Sequence, residues 1–369
     1  MEKKMSSPVR EDTARPLRIA IIGYGLAGSV FHAPLITATP GMSVVTIVTS
    51  NPERQQKASR DFPAANILSS TEELWHDPAH YDLVVVASPN RTHAPLGMAA
   101  MQAGFPVVID KPMAASAADA EQLIATSKET GKLLTVFQNR RWDNDFLTVR
   151  RLLEVTPDLL GPITRFESRY ERYRAVPRVG VWRELPDQEE AGGLLYDLGS
   201  HLIDQALQLF GRPVRVYTET DQRRPGAQVD DDTFVALQFP GGVRAHLWMS
   251  SVARILGPRI LVRGLRGSYE KWGLDPQEDA LRSGMRPGNT GWGLEPRENW
   301  GRLSTEIDGL HIDGPVETLP GSYERFYELL RDALLTGGPP PVDPADAAAV
   351  LKVIAAAQLS AGSDTVIEL

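Results

Sequence analysis

The sequence predicts an α/β chain in two parts: a doubly wound parallel sheet first, then an α+β part with a mostly antiparallel open sheet. Three observations carry this. Short apolar runs rich in β-branched residues alternate with helical segments as far as residue 138. A glycine-rich turn follows the first of these runs. Beyond residue 138, strand-like stretches succeed one another with few helices between them. The chain has 369 residues, enough for two domains.

Residues 1–14 are polar and of mixed charge, and read as a flexible tail. They lack the apolar core of a secretory leader, so a cytoplasmic location is expected. The first domain, residues 15–138, has apolar runs at 19–22, 44–48, 83–87, 107–109 and 133–137. Each is too short for a helix and suits a strand covered on both faces. Segments 92–103 and 116–130 read as helices; Gly104 and Gly131 stop them, and Ser116 is an N-cap candidate. Alternation of this kind implies right-handed βαβ units.

The second domain, residues 139–369, opens with a helix at 144–155 and a long strand at 163–173. A helix at 194–210 ends at Gly211. Strands follow at 214–220, 233–239, 243–250, 259–262 and 267–271, with a hairpin turn over 239–243. A Gly/Pro-rich loop occupies 283–296, and helices at 323–335 and 345–360 close the chain.

Composition removes several function classes. Lys and Arg number 39 against 47 Asp and Glu, a net charge of −8, which is not the footprint of a nucleic-acid binder. With no cysteine there is no disulfide, zinc–thiolate site, iron–sulfur cluster or thiol nucleophile. No apolar stretch suggests a membrane span.

Gly23-Tyr24-Gly25-Leu26-Ala27-Gly28 fits G-x-G-x-x-G between a buried strand and a helix, the context that motif requires. Gly23 permits the tight turn, Gly25 lets backbone approach a pyrophosphate, and Gly28 lets helix and strand pack closely. A dinucleotide-binding Rossmann domain is therefore expected, the alternative being a ligand-free glycine turn. The next βα turn chooses the cofactor. Ser50 and Asn51 stand where an acidic side chain would bind a ribose 2′-hydroxyl, and Arg54 and Lys57 follow. NADP is expected, with NAD the alternative if Glu53 is the selector.

Asp110-Lys111-Pro112 follows the strand at 107–109, at the edge where doubly wound sheets bind ligands. Its lysine can point an ammonium at a bound hydroxyl. Asp197 and His201 stand four apart on the 194–210 helix, hence on one face. A carboxylate one turn from an imidazole suits acid–base work near neutral pH. A buried structural pair and a metal site remain alternatives, the latter with Asp204 as a third ligand; the spacing gives no complete set, so no metal is expected.

These features together resemble the Gfo/Idh/MocA family of NAD(P)-dependent oxidoreductases over nearly the whole chain. Family members carry the glycine fingerprint, a Glu-Lys-Pro motif and an Asp-x-x-x-His helix; here Asp110 replaces the Glu. Stretches 23–36, 139–148, 196–205 and 269–282 are similar to a subgroup, the NADP-dependent scyllo-inositol 2-dehydrogenases. That subgroup often has Arg where this chain has Asn51.

The resemblance implies a dehydrogenase that interconverts a secondary alcohol and a ketone on a cyclic polyol or sugar. His201 is then the acid/base, Asp197 orients it or binds a substrate hydroxyl, and Lys111 holds the reacting oxygen. Asn139, Tyr170 and Arg172 are expected on the substrate, the last two from one face of an alternating strand that also carries Arg174. Besides the residues of the glycine turn, Pro89, Asn90, His93, Asp110, Lys111, Asn139, Trp182 and Arg183 are expected against the cofactor. A homodimer or homotetramer through the second-domain sheet is implied. Two rivals stay open: a glycoside hydrolase using tightly held NAD, and a non-catalytic nucleotide-binding regulator.

Overall fold

The computed structural model describes residues 15–76, 78–178 and 180–369. The expected tail, residues 1–14, lies outside them. Six strands form the first sheet: β1 (Leu17–Ile22), β2 (Met42–Val48), β3 (Asn66–Leu68), β4 (Leu83–Val86), β5 (Val107–Asp110) and β6 (Leu134–Phe137). Their order is β3-β2-β1-β4-β5-β6, and every pairing is parallel. The strand order reverses between β1 and β4, which opens a crevice at the strands' carboxyl ends. The short, half-exposed β3 has no apolar run to mark it in the sequence.

Nine strands form the second sheet: β7 (Ile163–Glu171), β8 (Arg215–Asp221), β9 (Asp232–Gln238), β10 (Arg244–Ser250), β11 (Ile260–Gly264), β12 (Gly267–Lys271), β13 (Gly301–Ile307), β14 (Leu310–Val316) and β15 (Ile367–Glu368). The order is β14-β13-β12-β11-β7-β10-β9-β8-β15, and only β7 and β10 pair in parallel. Sequence pattern misses β13 and β14, since exposed residues run through β14 and no alternation survives there. One sheet face is covered by the helices Ser200–Phe210 and Pro344–Ser363.

Pro344–Ser363 corrects the expectation that no apolar stretch is long enough for a membrane. Its 20 residues are long and apolar enough to cross one. Half of that stretch is buried in the fold, where it packs on the first-domain helix Ala117–Thr130, on Ser200–Phe210 and on β8. Its small alanines permit this close approach on several sides. The C-terminal segment thereby ties the two lobes together, aided by Thr135 Oγ1 donating to the Val342 carbonyl at 2.8 Å.

Candidate active site

Three first-sheet strands end at one cleft between the lobes. β1 delivers the glycine turn, β5 delivers Asp110 and Lys111, and β6 delivers Asn139. From the second lobe, β7 continues into Arg172 and Arg174, and the segment entering Ser200–Phe210 contributes Asp197 and His201. The cleft holds about 190 Å³ of open space.

The Lys111 ammonium donates to the Asp197 backbone carbonyl at 2.6 Å and to Asp197 Oδ1 at 3.0 Å. Arg183 Nε lies 2.8 Å from the same Oδ1, and Arg172 Nη2 lies 4.0 Å from Oδ2. His201 is one turn further on and only 4% exposed; its Nδ1 has no hydrogen-bond partner among the described residues. The Asp197 carboxylate is thus taken up by cations, whereas the sequence suggests a carboxylate that orients His201. Coulomb attraction explains the difference: a carboxylate gains more from two cations than from a neutral ring. The entry to this helix, Leu195–Gly199, is a π turn, where sequence pattern suggests uninterrupted α-helix.

The electrostatics follow from burial and these pairings. Burial pushes the Lys111 ammonium below its ordinary range, and Asp197 opposes that shift. Burial alone would raise the Asp197 carboxyl, but Lys111 and Arg183 outweigh it and hold it well below the usual carboxylate range. Burial pushes His201 well below 6.5, and the Lys111 and Arg140 cations push it further. At neutral pH the site therefore holds a carboxylate and a neutral imidazole side by side.

The glycine turn has the form of a phosphate cradle. Gly23 has φ +101°, and a Cβ there would lie 2.4 Å from the Ala87 carbonyl oxygen. A Cβ on Gly28 would lie 2.1 Å from the Gly23 oxygen. At Gly25 a Cβ would meet only the Arg54 guanidinium, at 3.6 Å. Two of the glycines thus serve packing, while the third leaves space beside a cation for an anionic group. We expect Gly28→Ala to destabilise the fold, by about 1–3 kcal/mol as for other forced backbone strain. Gly25→Ala should keep the melting temperature and weaken cofactor binding about tenfold or more. Thermal unfolding and cofactor titration separate the two; equal melting losses would contradict this division.

Two family models cover most of the chain: the NAD-binding Rossmann fold of the Gfo/Idh/MocA oxidoreductase family over residues 17–138, and that family's C-terminal alpha/beta domain over residues 155–369. The chain belongs to the Gfo/Idh/MocA oxidoreductase family. It is 40% identical to the uncharacterized oxidoreductase YdgJ of Escherichia coli over 344 residues, 92% of this chain and 94% of the relative. It is 39% identical to IolW of Bacillus subtilis, an NADP(+) scyllo-inositol 2-dehydrogenase, over 348 residues, 93% of each. The solved Bacillus subtilis protein YvaA superposes with a TM-score of 0.90 at 37% identity, covering 96% of this chain and 99% of that one. The chain is thus an oxidoreductase with an NAD(P)-binding Rossmann domain and a small-molecule substrate.

Within this family member, the structure brings Leu26, Ala27, Asp110, Lys111, Asn139, Arg172, Arg183, Asp197 and His201 to the cleft. Other residues singled out in the sequence stand elsewhere. The Tyr170 ring packs edge-on against His201, centroids 6.4 Å apart, but its hydroxyl donates to Asp143 Oδ2 at 2.9 Å in a buried network. Tyr170 is not among the cleft-lining residues and stands behind His201. Tyr24 is buried and donates to Asp61 at 2.8 Å. Asn51 caps the next helix by accepting from the Arg54 N–H at 3.0 Å, beside the exposed Ser50.

Pro89 and Asn90 begin the turn after β4, and the Asn90 amide donates to the Glu190 carbonyl at 2.8 Å. Buried His93 sets its ring nitrogens against the Pro112 carbonyl at 2.8 Å and the Ser88 carbonyl at 2.9 Å, bracing two strand ends. Trp182 is half-buried beneath the Arg183 guanidinium, 4.4 Å from its ring centroid. Asp204 is tied to Arg141 at 2.6 and 2.8 Å, so it is not free to bind a metal.

Pattern reading misses Arg224, Asp230, Glu278 and Arg282, which also line the cleft. They come from segments distant in the chain, and their local sequence carries no chemical motif. The subgroup-like stretch 269–282, which contains Glu278 and Arg282, is the one signal that could have found two of them.

Proposed function

We propose that this chain is an NADP-dependent dehydrogenase that interconverts a secondary alcohol and a ketone on a cyclic polyol or sugar. Scyllo-inositol is its first candidate substrate. The meeting of Lys111, Asp197 and His201 from opposite lobes carries the reading: an ammonium, a carboxylate and a neutral base around one small space. Similarity to IolW supports the substrate.

The nicotinamide, when bound, supplies the hydride acceptor. Lys111 holds the reacting oxygen and stabilises alkoxide charge as it develops. The hydroxyl proton passes to an imidazole nitrogen of His201. Asp197 keeps Lys111 charged and in place, and Asn139 and Arg172 contact other polar groups of the substrate. Glycine-turn backbone, Ser50, Asn51, Arg54 and the 89–93 turn hold the dinucleotide.

The NADP preference rests on Arg54, whose guanidinium lies over Gly25 next to a turn without an acidic side chain at positions 49–51. Arg54→Gln should lower kcat/KM for NADP relative to NAD by about 10–100-fold, the worth of one charge-assisted hydrogen bond. An unchanged ratio would remove Arg54 from cofactor choice.

A panel of inositols and aldoses, each assayed with both cofactors, tests the whole reading. NADP-linked oxidation of scyllo-inositol well above other members supports the narrow form. An empty panel defeats it. The proposal includes a cytoplasmic homodimer or homotetramer formed through the second sheet. Phe234, His246 and Trp248, half-buried on that sheet with ring centroids 5.1–5.9 Å apart, support it. Light scattering that finds a monomer would reject it.

A further inference from the structure

The cleft carries more positive charge than its internal pairs use. Eight Lys and Arg side chains line it against five Asp and Glu, in a protein whose net charge is −8. Most have partners. Arg140 and Arg282 share Glu278, Arg224 reaches Glu184 and Asp231, and Lys111 and Arg183 share Asp197. Arg172, Arg174 and Arg178 remain. Arg172 comes no nearer than 4.0 Å to Asp197, and its buried Nε has no hydrogen-bond partner among the described residues. Among the described residues, the guanidinium groups of Arg174 and Arg178 have no ion pair or hydrogen bond.

The backbone aims two of these groups together. Past the end of β7, Arg172 N–H donates to the Ser250 carbonyl at 2.9 Å, and Arg174 N–H donates to the Ser251 carbonyl at 2.8 Å. The chain is still extended here, with Tyr173 bridged to Val252. Alternation sends 172 and 174 to the cleft and Tyr173 to the far side, where its hydroxyl accepts from Arg254 at 2.7 Å. Arg178 lines the cleft from the following loop. Burial, with Arg172 and Arg178 nearby, pulls Arg174 down to about 10, the response of a cation held among cations.

A neutral polyol offers hydroxyl groups and would leave this surplus uncompensated. We infer that Arg172, Arg174 and Arg178 form a subsite for an oxyanion on the substrate, a carboxylate or phosphate borne by the ring or its side chain, adjacent to the Lys111–Asp197–His201 pole. The inference rests on the dehydrogenase reading and deepens it: scyllo-inositol fills the reaction pole alone, and the preferred substrate is an anionic relative of a polyol or sugar. Guanidinium forks match such oxyanions in two-point fashion. The dinucleotide phosphates are the other anions near this protein. Leu26 and Ala27 of their glycine turn reach the same cleft, but Gly25 and Arg54 are not among its lining residues, and Arg172 stands 4.0 Å from Asp197 in the second lobe.

The test compares matched pairs with NADP: glucose against glucuronate and glucose 6-phosphate, and scyllo-inositol against an inositol monophosphate. At least one anionic member should exceed its neutral parent in kcat/KM by tenfold or more, and the carboxylate and phosphate arms say which oxyanion is read. Added NaCl should raise KM for that member and not for its parent. The double variant Arg174→Gln/Arg178→Gln should bring the anionic-to-neutral ratio close to one, with the NADP dissociation constant kept. Neutral parents outperforming every anionic analogue would overturn the inference. So would a double variant that keeps the ratio and loosens NADP, since the arginines would then serve the cofactor. If neither class turns over with NADP or NAD, the dehydrogenase reading itself fails; if neutral members alone turn over, only the oxyanion subsite does.

Discussion

Lys111→Ala is expected to lower kcat by about 10²–10³-fold, the usual cost of removing one donor aimed at a developing oxyanion. The Lys111 side chain is 11% exposed, and its ammonium is the first-lobe group that reaches Asp197. Water admitted to the vacated space is a weaker, unfixed donor. Cofactor affinity should hold, because the glycine turn and Arg54 do not depend on Lys111. Arg183 stays on Asp197, so the buried carboxylate is not left without a cation. NADPH absorbance gives the rate, cofactor titration gives the affinity, and a thermal melt checks the fold. Turnover within tenfold of the wild type would take Lys111 out of the chemistry.

His201→Ala should cost about 10²–10⁴-fold, the range for a positioned proton carrier. The pH profile adds a readout that a structural histidine would not move. Burial, together with Lys111 and Arg140, holds the imidazole well below 6.5. Alcohol oxidation requires its neutral form, which persists as pH falls until the lowered value is crossed. The acid limb of kcat/KM should therefore lie below pH 6.5 and vanish in His201→Ala. A limb at or above 6.5, or one that survives the substitution, would point to another proton acceptor.

Much of the first lobe is legible because its signals are local. The strand at 19–22 and the glycines after it are contiguous in sequence, and Gly23 and Gly28 have the cramped surroundings that the motif implies. The strand at 133–137 and, opening the second domain, the helix at 144–155 likewise announce themselves through apolar runs and spacing. β3 and β14 are harder to read, since partly exposed strands lose the hydrophobic pattern. Tyr170 shows the same limit at the site. Alternation assigns it a sheet face, but the buried acids and arginines around it decide where its hydroxyl points.

The residue order alone determined that a glycine turn follows a buried strand, that a lysine follows another, and that Asp197 and His201 share one helical turn. Those are short-range matters of steric freedom and periodicity. Only tertiary packing decided that Lys111 closes on Asp197 rather than leaving it to His201, and that, among the described residues, the Arg174 and Arg178 guanidinium groups end up without partners in the cleft. Charges many residues apart find one another through the fold, and the pairing that results depends on which of them are buried together.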